Sequence, residues 1–111
     1  MNRVMLIGRM TRDPELAYTK QNAPYVKMRI AVMRRFRNRD GEREADFVDC
    51  TVWNKSAEHV AAYCKRGSLI GVTGSIRTSR YDNAEGKRIY RTEVFAQSIT
   101  FLERRKEQAQ Q

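Results

Sequence analysis

Residues 46–55 read DFVDCTVWNK, and this stretch decides the fold because it contains a strand and the start of a helix. Its apolar residues alternate, which predicts a strand that buries one face. The predicted core face carries Val48, Cys50 and Val52. The opposite, solvent-facing side carries Phe47, Asp49, Thr51 and Trp53. Two large aromatic side chains on a solvent-facing side depart from the usual burial of such residues, and the sequence does not explain the aspartate between them.

The preceding segment predicts the partner of this strand. Residues 25–36 (YVKMRIAVMRRF) alternate apolar and basic side chains, as a half-buried strand does. Between the two strands lies a charged loop with Asp40-Gly41, a dipeptide typical of tight hairpin turns. We therefore expect an antiparallel hairpin.

A short helix is predicted after the hairpin. Asn54 or Ser56 is expected to cap its start, Lys65 and Arg66 to occupy its last turn, and Gly67 to end it. Its apolar residues recur at helical spacing, so one face is expected to pack on a sheet. That face carries Ala57, Val60, Ala61 and Cys64.

Three further strands complete the predicted fold, at residues 3–10, 68–81 and 88–103, with a short edge strand at 16–19. In the strand at 68–81 we expect Ile70, Val72 and Ile76 to face the core, and Gly71 and Gly74 to allow a bend or bulge. Five main strands with one helix between the third and fourth are typical of the OB-fold, a small all-β barrel. We assign residues 1–104 to this domain and 105–111 to a short polar tail.

Composition narrows the classes of function. The chain has 111 residues, 22 Lys plus Arg against 13 Asp plus Glu, and a net charge of +9, which favours nucleic acid as partner. It contains neither an apolar run long enough to span a membrane nor a signal peptide, so a cytoplasmic protein is expected. Catalytic motifs are also missing, and the single histidine gives no metal-ligand spacing. The two cysteines are too few for a disulfide framework, so we expect reduced thiols. We therefore predict a protein that is not an enzyme and needs no cofactor or metal.

Aromatic and basic residues are interleaved at the predicted surface. Bases of single-stranded nucleic acid stack on exposed aromatic rings, and arginine or lysine neutralises the phosphates. The predicted stacking residues are Phe36, Phe47, Trp53 and Tyr81. The predicted phosphate-binding residues, on two hairpins, are Arg34, Arg35, Arg37, Arg77, Arg80, Lys87, Arg88 and Arg91. Acids in the same hairpins can pair with some of these cations.

Three other functions remain compatible with the residues alone. An OB-fold protein of this composition can prefer RNA to DNA. Its basic face can instead dock an acidic protein or a membrane surface, in which case the aromatic residues serve another purpose. A catalytic site of unrecognised type is the third alternative.

Nearly the whole chain resembles the bacterial single-stranded DNA-binding proteins. The resemblance rests on three segments: NRVMLIGRMTRDPELAYT (2–19), ADFVDCTVWNKSAEHVAAYCKRGSLIGVTGSIRTSRY (45–81) and YRTEVFAQSITFLE (90–103). It implies that Phe36, Phe47, Trp53 and Tyr81 are the stacking aromatics. It also implies a homotetramer that wraps single-stranded DNA, with pairing between subunits near the N-terminus, and a role in replication, repair, recombination or DNA uptake during competence.

The sequence differs from that family at its end. Family members usually continue into a flexible linker with an acidic tip that recruits partner proteins, whereas this chain ends in ERRKEQAQQ. The resemblance is therefore to a short form, either naturally short or truncated, and tail-mediated partners are not expected.

Overall fold

The computed structural model describes residues 1–103, so the predicted tail at 105–111 lies outside the described part. The elements in chain order are β1 (Val4–Met10), β2 (Ala17–Tyr18), β3 (Pro24–Arg37), β4 (Arg43–Trp53), α1 (Asn54–Tyr63), β5 (Leu69–Asp82) and β6 (Arg88–Phe101). Within residues 1–103 no helix is long and apolar enough to cross a membrane.

The long strands close into a barrel. The sheet order is β1-β5-β6-β4-β3-β2, and β1 also pairs with β3, which joins the two sides. All pairings are antiparallel except β4 with β6, where Cys50–Val52 run alongside Val94–Ala96. Leaving out the two-residue β2, the helix lies between the third and fourth long strands. The structure therefore confirms the predicted OB-fold.

The core lies between the barrel wall and α1. Alternate residues of β3 point inward, and Val26 and Ile30 have no exposed surface. The helix contributes Ala57 and Val60, both fully buried, as its apolar stripe predicts. Cys50 is buried too, and burial raises the pKa of its thiol to about 12, so the thiol stays protonated at neutral pH.

Two glycines permit close contacts between strands. A Cβ on Gly8 would lie 2.7 Å from the Ala31 carbonyl oxygen, at the point where β1 reaches β3. A Cβ on Gly74 would overlap the Phe95 carbonyl oxygen, beside a register shift between Thr73 and Gly74. The predicted bulge in this strand is therefore confirmed at Gly74.

The β5–β6 hairpin extends beyond the barrel, and this overturns one expectation. Ile76 was predicted to face the core, but it is 46% exposed. Past the level where Ile76 pairs with Val94, β4 no longer accompanies β6 and each strand has only the other as a neighbour. The apolar side chains at Ile70, Val72 and Ile76 thus extend along β5 farther than the barrel core, and Ile76 lies beyond it.

The ends of α1 also differ from the prediction. Trp53 is the N-cap and makes no side-chain capping bond, while Asn54 is the first helical residue, with a φ of 59°. The helix ends at Tyr63, before Lys65, Arg66 and Gly67. Backbone N–H groups there have other acceptors: Arg66 donates to Asp13 Oδ1 at 2.8 Å and Gly67 to the Met10 carbonyl at 2.8 Å. These bonds to the end of β1 and the loop after it replace another helical turn.

Candidate nucleic-acid interface

The outward side of the β3–β4 hairpin has two facing columns of side chains, which we call the β3–β4 face. Its register places Tyr25 opposite Trp53, Lys27 opposite Thr51, Arg29 opposite Asp49 and Ala31 opposite Phe47. Two predicted stacking residues therefore lie on one surface with cations from the neighbouring strand. The prediction of a solvent-facing side is confirmed for Phe47, Asp49 and Trp53, which all have exposed surface on this face.

The two aromatic rings of this face differ in exposure. Phe47 is 61% exposed, because the small Ala31 opposite it leaves the ring uncovered. Trp53 is half-buried: Tyr25 packs on it with ring centroids 5.1 Å apart and planes tilted by 36°. Trp53 thus presents a supported ring rather than a free one.

Thr51 was predicted to face solvent, and this is wrong. It is 3% exposed, and its hydroxyl donates a hydrogen bond of 2.9 Å to Glu93 Oε1 on β6. The parallel pairing of Thr51 with Phe95 places β6 beside β4 here, so that the Glu93 side chain reaches Thr51. A contact between strands so distant along the chain does not appear in a local alternation pattern.

The other two predicted stacking residues lie on the hairpins. Phe36, near the end of β3, is 81% exposed, with the Arg35 guanidinium 5.9 Å from its ring centroid. It lines an open cleft of about 620 Å³ with neighbouring residues of the β3–β4 hairpin. Tyr81, on the β5–β6 hairpin, is 52% exposed and lies opposite Ile89. Phe47 and Trp53 thus share the β3–β4 face. Phe36 lies near the loop end of the same hairpin, and Tyr81 lies near the loop end of the β5–β6 hairpin.

Several predicted phosphate-binding cations have partners within the chain. Arg34 holds Asp46 through Nη2–Oδ1 at 2.9 Å and Glu44 through Nη1–Oε2 at 3.2 Å. Its hydrogen bonds lower the pKa of the Asp46 carboxyl, so this carboxylate is ionised at neutral pH. Arg88 Nε lies 3.6 Å from Asp82 Oδ1. Arg37 Nη1 donates to the Gly41 carbonyl at 2.8 Å, which orders the turn.

The remaining cations of the set have other surroundings. Arg77 lies over a ring, with its guanidinium carbon 3.9 Å from the Phe95 centroid. Arg35, Arg80 and Lys87 are exposed, and none of them forms an ion pair with a carboxylate of residues 1–103. These three have the most freely available charges among the predicted phosphate-binding residues.

Asp49, which the sequence left unexplained, is held by two arginines. Arg29 donates from Nε to Oδ1 at 2.8 Å and from Nη2 to Oδ2 at 3.3 Å. Arg91 Nη2 lies 4.0 Å from Oδ2. The hydrogen bonds from Arg29, followed by the charges of Arg29, Arg91 and Arg12, lower the pKa of Asp49 despite its partial burial. The carboxylate is therefore ionised and largely neutralised.

These groups line a cleft between β3, β4 and β6 with a volume of about 390 Å³. Four cations and two acids surround it: Arg12, Lys27, Arg29, Arg91, Asp49 and Glu93. Only Arg91 of these was among the predicted phosphate-binding residues. The cleft connects the β3–β4 face with β6 and so brings Arg91 close to the strand that carries Phe47 and Trp53.

Sequence reasoning missed five residues of this surface: Arg12, Tyr25, Lys27, Arg29 and Phe95. Part of the signal was present, since a hairpin closed at Asp40-Gly41 places alternate residues of the first strand beside the outward residues of the second. That rule assigns Tyr25, Lys27 and Arg29 to the β3–β4 face. Arg12 and Phe95 reach the surface only through barrel closure and the parallel β4–β6 pairing.

Comparison with known proteins identifies relatives along the whole described fold. Residues 1–102 match the model of the single-strand binding protein family. A single-stranded DNA-binding protein of Halalkalibacterium halodurans is 56% identical over 99% of this chain and 66% of its own length. One from Bacillus cereus is 52% identical over 95% of this chain and 62% of its own length. Single-stranded DNA-binding protein B of Bacillus subtilis is 50% identical over 92% of this chain and 90% of its own length. This chain therefore spans less than two thirds of the length of the first two relatives.

Proposed function

The chain belongs to the single-strand binding protein family, and we propose from this that it binds single-stranded DNA without sequence preference. The observation that carries the proposal is the β3–β4 face, where the exposed ring of Phe47 and the supported ring of Trp53 stand beside Lys27 and Arg29. Aromatic rings stack bases of any identity, and cations bind the phosphates between them.

The proposed path of the DNA uses the hairpins as well. Phe36 and Tyr81 offer further stacking surfaces, and Arg35, Arg80 and Lys87 offer charges that no described carboxylate neutralises. The proposed role of the paired cations Arg34, Arg37, Arg88 and Arg91 requires phosphate to compete with their present partners. Arg77 already packs on Phe95, and its proposed partner is a phosphate or a base that stacks on the guanidinium.

We further propose that the protein acts as a homo-oligomer. The family resemblance implies that this oligomer is a homotetramer. The structural support is on β1, where Met5 is 75% and Ile7 61% exposed. Their neighbours on β5, Thr73 and Gly71, are small and leave both side chains uncovered. A second copy of the chain would bury this apolar surface.

The proposed setting is the cytoplasm, with protection of single strands during replication, repair, recombination or DNA uptake. The proposed protein is not an enzyme, because base stacking and charge neutralisation require no chemical reaction. No protein partner besides further copies of the chain is proposed.

Fluorescence of Trp53, the only tryptophan of the chain, provides the direct test. We expect oligo-dT to quench it in a saturable manner, and the apparent affinity to fall with salt with a log–log slope of about −0.7 per phosphate bound. Competition with matched RNA distinguishes an RNA-preferring protein. Absence of binding to oligo-dT by both quenching and anisotropy would refute the proposed function and favour a docking role for the basic face.

A further inference from the structure

Asp49 occupies a position between two guanidiniums that come from the strands on either side of it. Arg29 belongs to β3 and Arg91 to β6, while Asp49 belongs to β4 between them. The Arg29 contact is two-pronged, at 2.8 and 3.3 Å, and the Arg91 contact is longer, at 4.0 Å. One carboxylate thus gathers two cations at a single point of the surface.

This point lies in the middle of the proposed DNA path. Asp49 shares the outward face of β4 with Phe47, two residues before it, and with Trp53, four residues after it. Successive residues of a strand are about 3.3 Å apart, so Asp49 lies about 7 Å from Phe47 along β4. A backbone that follows bases stacked on both rings passes the level of Asp49, where a fixed negative charge would repel its phosphates.

A carboxylate and a phosphate offer a guanidinium the same kind of partner. Both present two oxygens that accept parallel N–H donors of arginine, with comparable geometry. The present ion pairs are partly open to water, with side-chain exposures of 56% for Arg29, 44% for Arg91 and 34% for Asp49. Exposed pairs of this kind are weak, so exchange of one anion for another costs little.

We propose that Asp49 is a displaceable counter-ion, a carboxylate that holds Arg29 and Arg91 in the free protein and yields them to a DNA phosphate on binding. The inference rests on the proposed binding of single-stranded DNA. It gives Asp49 a positioning role: both guanidiniums are kept together and aimed outward before the phosphate arrives. It also makes Asp49 a competitor that limits affinity at this point of the path.

Glu93, the other acid of the cleft, has a different arrangement. Its carboxylate accepts the hydroxyl of the buried Thr51 at 2.9 Å, which ties β6 to β4. The arginine opposite it on β5, Arg77, lies over the Phe95 ring. Glu93 therefore has a structural partner, and Asp49 is the acid of this cleft held by arginines alone.

Asp49→Asn tests the proposal, because it keeps the shape and removes the charge. We expect it to bind oligo-dT about fivefold more tightly at low salt, since the phosphate no longer displaces an ion pair. We expect the slope of log affinity against log salt concentration to be steeper by about 0.7, which is the contribution of one additional neutralised phosphate. Asp49→Ser removes the same charge with a different side chain and should shift affinity in the same direction.

Glu103→Gln is the matched control for net charge. Glu103 forms an exposed ion pair with Arg9 at 3.0 Å, outside the β3–β4 face, so its loss changes the total charge equally. We expect little effect on oligo-dT binding. In an Arg29→Gln, Arg91→Gln background, the gain from Asp49→Asn should disappear, because its effect acts through those guanidiniums.

The outcomes separate this inference from the proposed function. If the unmodified chain does not bind oligo-dT, the proposed function fails and the inference falls with it. If the unmodified chain binds but both folded Asp49 variants bind equally or more weakly, only the inference is overturned, and Asp49 is then a structural ion-pair partner. A gain that persists without Arg29 and Arg91, or that Glu103→Gln reproduces, would also overturn it.

Discussion

Phe47 and Trp53 share one face of β4, yet their cross-strand neighbours give them different properties. Ala31 leaves the Phe47 ring 61% exposed, so this ring contributes little to folding and is available to a base. Tyr25 packs on Trp53 at a centroid distance of 5.1 Å, so the tryptophan takes part in the folded structure before any ligand arrives. A residue pattern that treats both as outward aromatics does not distinguish them.

Substitution of these two rings should separate binding from stability. We expect Phe47→Ala to weaken oligo-dT binding by about 1–3 kcal/mol through loss of a stacked base, with an unchanged melting temperature. Trp53→Ala should weaken binding by a similar amount and also lower stability by about 1 kcal/mol, because the pair with Tyr25 is lost. Anisotropy of labelled oligo-dT measures both variants, and thermal melts report stability.

Tyr63→Ala serves as the control aromatic, since Tyr63 lies on α1 and not on the β3–β4 face. Its replacement should leave affinity for oligo-dT unchanged. Equal affinity of Phe47→Ala and the unmodified chain would contradict the stacking role of Phe47.

The β5–β6 hairpin is one element with two environments. Near the helix-proximal end of β5, residues such as Ile70 and Val72 are buried in the barrel, whereas all residues of β5 beyond Ile76 are exposed. The bulge at Gly74 lies between these parts, where the carbonyl of Phe95 leaves no space for a side chain. The hairpin that carries Tyr81, Arg80 and Lys87 therefore depends on this glycine for its connection to the barrel.

Gly74→Ala should destabilise the fold. The added Cβ would meet backbone atoms of Phe95, which cannot move aside as a flexible side chain can, so we expect a loss of about 3 kcal/mol. Gly71→Ala, three residues earlier on the same strand, meets no atom closer than 3.6 Å and should change stability by less than about 1 kcal/mol. Urea unfolding of both variants measures the difference, and equal stabilities would show that the bulge adapts.

The whole molecule has two surfaces of different character. Strands β3, β4 and β6 line the cationic cleft beside Phe47 and Trp53, while β1 displays the apolar side chains of Met5 and Ile7. With a net charge of +9, the molecule attracts polyanions, whereas the exposed apolar side chains of β1 are the part suited to contact another copy. Assembly through β1 would leave the β3–β4 face open to DNA.

Met5→Glu with Ile7→Glu should therefore reduce the oligomeric state. We expect the unmodified chain to have a multiple of its 13.0 kDa mass in solution and the double variant to have a smaller one, because the added charges oppose burial of β1. Met33→Glu, which charges a 52% exposed methionine on β3, is the control and should leave the mass unchanged. Light scattering gives the masses; a monomeric unmodified chain would contradict the proposed oligomer.

Much of the fold was predictable from the sequence because its signals are local. Alternation assigned Val26, Met28 and Ile30 to the core, Asp40-Gly41 marked the first hairpin, and helical spacing placed Ala57 and Val60 against the barrel. The outward side of Phe47 and Trp53 followed from the same two-residue period. These features depend on residues close together in the chain, where steric and turn preferences act directly.

Only the tertiary structure decided which side chains are covered and which charges are neutralised. Closure of the barrel and the parallel β4–β6 pairing bring Glu93 onto Thr51 and Arg91 toward Asp49, and the end of β4 pairing leaves Ile76 exposed. These contacts join residues tens of positions apart, whose register no local period specifies. The sequence by itself therefore determined the barrel and its outward rings, and the fold determined the electrostatic partners around them.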